Sequence, residues 1–145
     1  MDKIIKNLKY VPKLSTALAY ILLLALALVL FFGRNYEALR FECILKILPD
    51  FYGHVSNFSL TLIIYTVIGY VGLLVGLTNK HIRVVGFLMV LINFIFELFI
   101  PVLNTPDIKD LFYGIVGALV GFFFLYAAKV KGLRQNNLVR SKIDP

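Results

Sequence analysis

Phe58–Leu77 reads FSLTLIIYTVIGYVGLLVGL, twenty residues without one charged side chain. A helix of about 20 apolar residues is what the hydrocarbon layer of a bilayer demands of a segment that crosses it. Leu14–Phe32, Val84–Val102 and Leu111–Ala128 have the same character. Each is read as a membrane-crossing helix, because hydrocarbon offers backbone N–H and C=O groups no partner outside the segment. The runs are continuously apolar and do not alternate in and out, which argues against a β-barrel. The expected architecture is all-α: a polytopic bundle of four transmembrane helices, one membrane domain over residues 1–145 with a basic tail over 129–145.

Composition points the same way. Sixty per cent of the 145 residues are hydrophobic and 16% are charged, against about half and about a quarter in soluble domains. The mean hydropathy is +0.87. A net charge of +7 raises the question of nucleic acid. The basic residues flank apolar runs instead of forming a patch with aromatics, so no nucleic-acid partner is expected and the bilayer is. Cys43 is the only cysteine, which excludes an intramolecular disulfide. Lys3, Lys6, Lys9 and Lys13 before an apolar run imitate a signal peptide. Leu14–Phe32 is longer than a usual h-region of about 7–15 residues and lacks a small-x-small cleavage site, so it is read as a retained first span.

Charge orients the bundle. Lys3, Lys6, Lys9, Lys13, Lys80, Arg83, Lys129, Lys131, Arg134, Arg140 and Lys142 fall on one side, and Arg34, Arg40, Lys46 and Lys109 on the other. The positive-inside bias then predicts cytoplasmic N- and C-termini. In the first outer segment, Ala38, Phe41, Ile44, Leu45 and Leu48 recur at helical spacing. They predict a short amphipathic helix on the interface, ended by Pro49. Asn104-Thr105-Pro106-Asp107 is a turn signal, with Asp107 placed to cap the last helix.

Gly69, Gly72 and Gly76 stand at i, i+3, i+7 on the second span, and Gly114, Gly117 and Gly121 repeat that spacing on the fourth. Such stripes let helix backbones approach closely, and they predict contact between these two spans. The octets GYVGLLVG and GIVGALVG agree at six of eight positions. That echo is compatible with a duplicated hairpin and equally with low-complexity membrane sequence.

The chemistry-bearing residues converge on the outer side. Glu97 lies about one and a half turns from the outer end of the third span, where a bare carboxylate is costly. His54 and Asp110 stand at the outer mouths of the second and fourth spans, and Asp50 precedes His54 by one helical turn. Asn93 lies one turn below Glu97 on the same face. Asp50, His54, Asn93, Glu97 and Asp110 are the candidate polar pocket.

These residues resemble the VanZ-like family of bacterial membrane proteins. Asp50-Phe-Tyr-Gly-His54 stands in place of its Asp-x-x-x-His element, Glu97 in place of its later glutamate, and Asp110, Gly117 and Gly121 at the spacing of its final motif. Ile100 stands where that family often has Gln, Asn104-Thr105-Pro106 carries no Arg, and Gly114 replaces an Asn, so the chain reads as a divergent member. The resemblance implies a multi-pass protein of the bacterial inner (plasma) membrane. It further implies a link to the cell envelope and to antibiotic resistance of the teicoplanin type, with no established reaction.

Three functional readings follow. The pocket binds an amphiphile or lipid headgroup, or the His and carboxylates form a membrane-embedded enzyme, or the chain is a structural or transport subunit, for example in a homo-oligomer. A lone His among carboxylates is a thin metal signal, and no H-E-x-x-H, phosphate loop or activated Ser/Cys arrangement is present. No metal or other cofactor is expected. The bland alternative for Glu97 is a hydrogen bond to Asn93 or Tyr113 that fixes helix register.

Overall fold

The computed structural model describes residues 8–99 and 107–136. A strand β1 (Tyr10–Pro12) leads into α1 (Leu14–Gly33). A 3₁₀ turn (Glu37–Leu39) and a short α2 (Glu42–Ile47) follow. The next two long helices are α3 (Phe51–Val75) and α4 (Asn79–Phe99). The last is α5 (Ile108–Ala127), which continues through a π turn (Ala128–Gly132) into β2 (Leu133–Gln135). The four long helices are each long and apolar enough to cross a membrane, and they form an all-α bundle. Large apolar side chains such as Leu22, Phe87, Phe112 and Phe123 cover its outside, an exterior suited to lipid and not to water.

The helices extend beyond the apolar runs that announce them. α3 begins at Phe51 instead of Phe58, α4 at Asn79 instead of Val84, and α5 at Ile108 instead of Leu111. Hydropathy marks the hydrocarbon-crossing part of a helix, whereas its hydrogen-bond ladder continues into the polar interface. The expected end of the third span at Val102, the turn at Asn104–Pro106 and the tail beyond Asn136 lie outside the described residues.

Four up-and-down helices bring Leu8 and Asn136, the first and last described residues, to one end of the bundle. There β1 pairs antiparallel with β2, Tyr10 opposite Gln135. Asn136 closes the pair by donating from its backbone N to Lys9 O (3.1 Å) and from Nδ2 to Leu8 O (2.8 Å). Lys129 Nζ donates to Leu77 O at 3.3 Å and lies 4.5 Å from the Tyr10 ring centroid. Part of the expected basic tail is therefore ordered structure, a ribbon too short to leave a pattern in the sequence. This is the basic end of the bundle, and His54 lies at the opposite, polar end.

The interfacial segment is not one helix. Its 3₁₀ and α pieces are separated at Arg40–Phe41, because Arg40 is recruited to the end of α1. Its Nε donates to Gly33 O (2.8 Å) and its Nη2 to Arg34 O (3.0 Å), satisfying carbonyls that a helix C-terminus leaves open. Phe41 N donates to Tyr52 Oη at 2.8 Å. α2 stops before Pro49, with Leu48 outside the helical region at φ −133°, ψ 82°.

α3 is the centre of the bundle. Half of its crossing window is buried, against 11% for α4. Its chief partner is α5, and the glycines of α5 set the distance. A Cβ on Gly117 would strike the backbone carbonyl of Phe58, and one on Gly121 would meet Tyr65 and Thr66 of α3. Gly69 of α3 makes room for Leu125 in return, whereas Gly114 faces Asn93 of α4. Gly72 and Gly76 do not serve this seam. Gly76 has φ +106° and closes α3 in a Schellman motif, with Leu77 N donating to Gly72 O (2.8 Å) and Gly76 N to Leu73 O (3.1 Å). The Leu77 side chain folds back over Gly72, the hydrophobic contact that accompanies this cap.

Candidate functional site

The early start of α3 carries His54 onto a helix. Its Nδ1 lies 2.8 Å from Asp110 Oδ1, in the first turn of α5, and 3.6 Å from Asp107 Oδ2, just before that helix. The imidazole stacks on Tyr113 with centroids 5.5 Å apart. The side chains of His54 and Asp110 are 15% and 19% exposed, so this contact is shielded more than a surface pair would be. When Nδ1 donates to Asp110 from the neutral ring, Nε2 keeps its lone pair. Nε2 has no hydrogen-bond partner among the described residues.

Asp107 joins this pair to Glu97. Asp107 Oδ1 accepts from Lys109 N at 2.8 Å, the N-cap of α5, which satisfies one of the donors a helix start leaves open. The backbone N of Asp107 donates to Glu97 Oε1 at 3.0 Å. Glu97 is fully buried, and Asn57 Nδ2 lies 3.4 Å from its Oε2. The carboxylate that looks exposed to hydrocarbon in sequence is thus turned into protein, where hydrogen bonds offset its desolvation. Asn57 is three residues after His54, so α3 presents both on one face.

Asp50 goes elsewhere. It stands at the N-cap of α3 but makes no cap hydrogen bond there. Its Oδ2 instead accepts from Lys109 Nζ at 2.7 Å. The Lys109 ammonium holds the Asp50 carboxyl below the ordinary aspartate range through that hydrogen bond and its charge. Asn93 lies below Glu97 with its amide against Gly114, and its buried Nδ2 has no hydrogen-bond partner among the described residues. Of the residues expected in the pocket, the structure links His54, Asp110 and Glu97 in one network through Asp107, leaves Asp50 on its rim, and sets Asn93 beneath it.

Three participants were not read as site residues from sequence. Asp107 looks like a cap and is one, and the same carboxyl also faces His54. Asn57 carries only the weak signal of its spacing from His54. Lys109 looks like an isolated loop cation until Asp50 is placed beside it.

Below Glu97 a groove of about 240 Å³ runs between α3 and α4. Asn57, Thr61 and Asn93 line its inner side, and Leu60, Ile64, Ile92 and Phe96 its lipid-facing rim. Polar cluster and apolar groove are therefore continuous at Asn57. Comparison with protein-family models, curated proteins and solved structures returns no match.

Proposed function

We propose that the chain is a VanZ-like membrane protein of the bacterial cell envelope that binds a positively charged amphiphile at the polar end of its bundle. The observation that carries this reading is the network Glu97–Asp107–His54–Asp110 placed directly above the groove between α3 and α4. The network gathers three carboxylates and one imidazole. Lys109 makes its ion pair with Asp50, and Arg40 with Glu37. An ammonium headgroup complements such a cluster, and an alkyl chain suits the rim of Leu60, Ile64, Ile92 and Phe96. The eleven-to-four distribution of basic residues supports cytoplasmic termini and an outward-facing pocket. Exposed Cys43 tests this directly, since a membrane-impermeant maleimide then labels it from outside intact cells.

The binding test is titration of dodecylammonium into the protein reconstituted in zwitterionic nanodiscs. Binding is expected to saturate, and Glu97→Gln or Asp110→Asn to weaken it by about tenfold, the scale of one charge-assisted hydrogen bond. His81→Ala, at the basic end, is expected to leave it unchanged. Unsaturable partitioning that is identical in all variants would refute the reading. A second reading is favoured by one observation: ligand atoms of His54, Asp107 and Asp110 all lie within 4.8 Å of one another, the spacing a divalent cation would need. A rise in thermal midpoint with Zn²⁺ or Mn²⁺ that disappears in His54→Ala would support it.

A further inference from the structure

We infer a second and separate lipid site at the opposite, basic end: a groove between α4 and α5 that seats an acyl chain of an anionic phospholipid, with Arg83 holding the phosphate. The groove encloses about 240 Å³. Phe87 and Val90 form its α4 wall, and Ile115, Leu119 and Phe122 its α5 wall. On each helix these positions recur at intervals of three or four, so each wall is one continuous helical face. Small residues, Gly86 and Ala118, keep the floor low. The floor hydroxyl of Tyr65 is already committed to Ile82 O at 2.9 Å, which leaves the channel apolar along its length.

Among the described residues, Arg83 is the one charged side chain lining the groove. It lies one turn inside the start of α4, and Lys80 stands one turn before it. Arg83 has no ion pair or hydrogen bond from its side chain among the described residues. From Arg83 to Val90 the helix rises roughly 10 Å, so a phosphate on the guanidinium places an attached chain alongside Phe87 and Val90. A guanidinium matches phosphate with paired donors, and basic pockets between transmembrane helices are a recurrent way of holding anionic headgroups. Charge complementarity selects a phospholipid with net negative charge over a zwitterionic one. It also separates this site from the acidic network, which would repel the same headgroup.

The test is native mass spectrometry of the full chain in detergent, titrated in parallel with phosphatidylglycerol and with phosphatidylcholine of identical chains. Wild type is expected to retain one phosphatidylglycerol about fivefold better than phosphatidylcholine, which corresponds to about 1 kcal/mol for one basic residue near the headgroup. Arg83→Gln is expected to lose that preference, and Arg83→Lys to keep most of it. Val90→Trp, which fills the groove, is expected to lower retention of both lipids. Lys46→Gln, at the other end, is expected to behave as wild type. Equal retention of the two lipids by wild type, or an unchanged preference in Arg83→Gln, overturns the proposal. So does a lipid-free dimer that disappears in Val90→Trp, because a second copy would then be the occupant. Glu97→Gln is expected to leave the preference intact, so failure here is distinguishable from failure at the polar end.

Discussion

Replacing Gly117 by Ala probes the seam on which the bundle depends. The added Cβ would meet the backbone of α3, with Phe58 C and Cα both at 3.2 Å and the Phe58 carbonyl oxygen nearer still. A flexible side chain could swing away, but a backbone carbonyl cannot, so α3 and α5 must separate by several tenths of an ångström. Overpacking of this kind costs about 1–3 kcal/mol. Removing a helical glycine returns up to about 1 kcal/mol of propensity. With the full propensity gain the net expectation is a destabilisation of up to about 2 kcal/mol, in place of the stabilisation that glycine replacement would bring without the clash. Gly53→Ala supplies the control, because a Cβ there meets nothing within 4 Å. It should stabilise by about 0.5–1 kcal/mol from propensity alone. Reversible unfolding in mixed micelles, followed by circular dichroism, measures both. If Gly117→Ala proves as stable as Gly53→Ala, the close approach of α3 to α5 is wrong.

The Asp50–Lys109 pair gives a pH prediction. Its folded-state carboxyl is held below the ordinary range by Lys109. The stabilisation is therefore present above the unfolded aspartate pKa of about 3.9 and is lost as pH falls through the lower folded value. Unfolding midpoints measured from pH 6 downward should drop more steeply in wild type than in Lys109→Gln, and equal slopes would exclude the pair. Tyr52→Phe removes the acceptor for Phe41 N, a 2.8 Å bond in a partly buried setting, and should cost about 0.5–1.5 kcal/mol in the same unfolding assay. Leu125→Ala, at a position with no exposure that sits against Gly69, should cost about 2–5 kcal/mol, and a loss below 1 kcal/mol would mean that α5 is not packed as described.

Much of this architecture is written in hydropathy, because only a helix can satisfy its backbone within lipid. The glycines of α5 are legible for a similar reason, since few residues permit a backbone to approach a neighbouring carbonyl. Spacing alone does not tell a packing glycine from a capping one. Gly72 and Gly76 share the stripe of Gly69, yet they close the helix, because the chain must reverse there and Gly76 adopts a positive φ. Hydropathy marks the crossing spans but not the polar turns that continue a helix into the interface, and the start of α3 at Phe51, ahead of the apolar run from Phe58, decides where His54 and Asn57 point. The one-turn spacing of Asp50 and His54 suggested mutual contact, whereas the structure gives each a partner on α5, Lys109 and Asp110. Those pairings span more than fifty residues of sequence and have no local signature. Arg40 likewise counts in the sequence only as an outer-side cation, and it serves the end of α1 because open carbonyls there attract a donor.

The contact that organises the polar end is the one between His54 and Asp110, and a double-mutant cycle measures it most directly. His54→Ala, Asp110→Ala and the double variant, unfolded reversibly under one set of conditions, yield the coupling energy of the pair. Groups sharing one hydrogen-bonded network couple by about 0.5–3 kcal/mol, and a value in that range is predicted for the shielded 2.8 Å contact. Strict additivity of the two single changes would mean that the imidazole and the carboxylate do not meet.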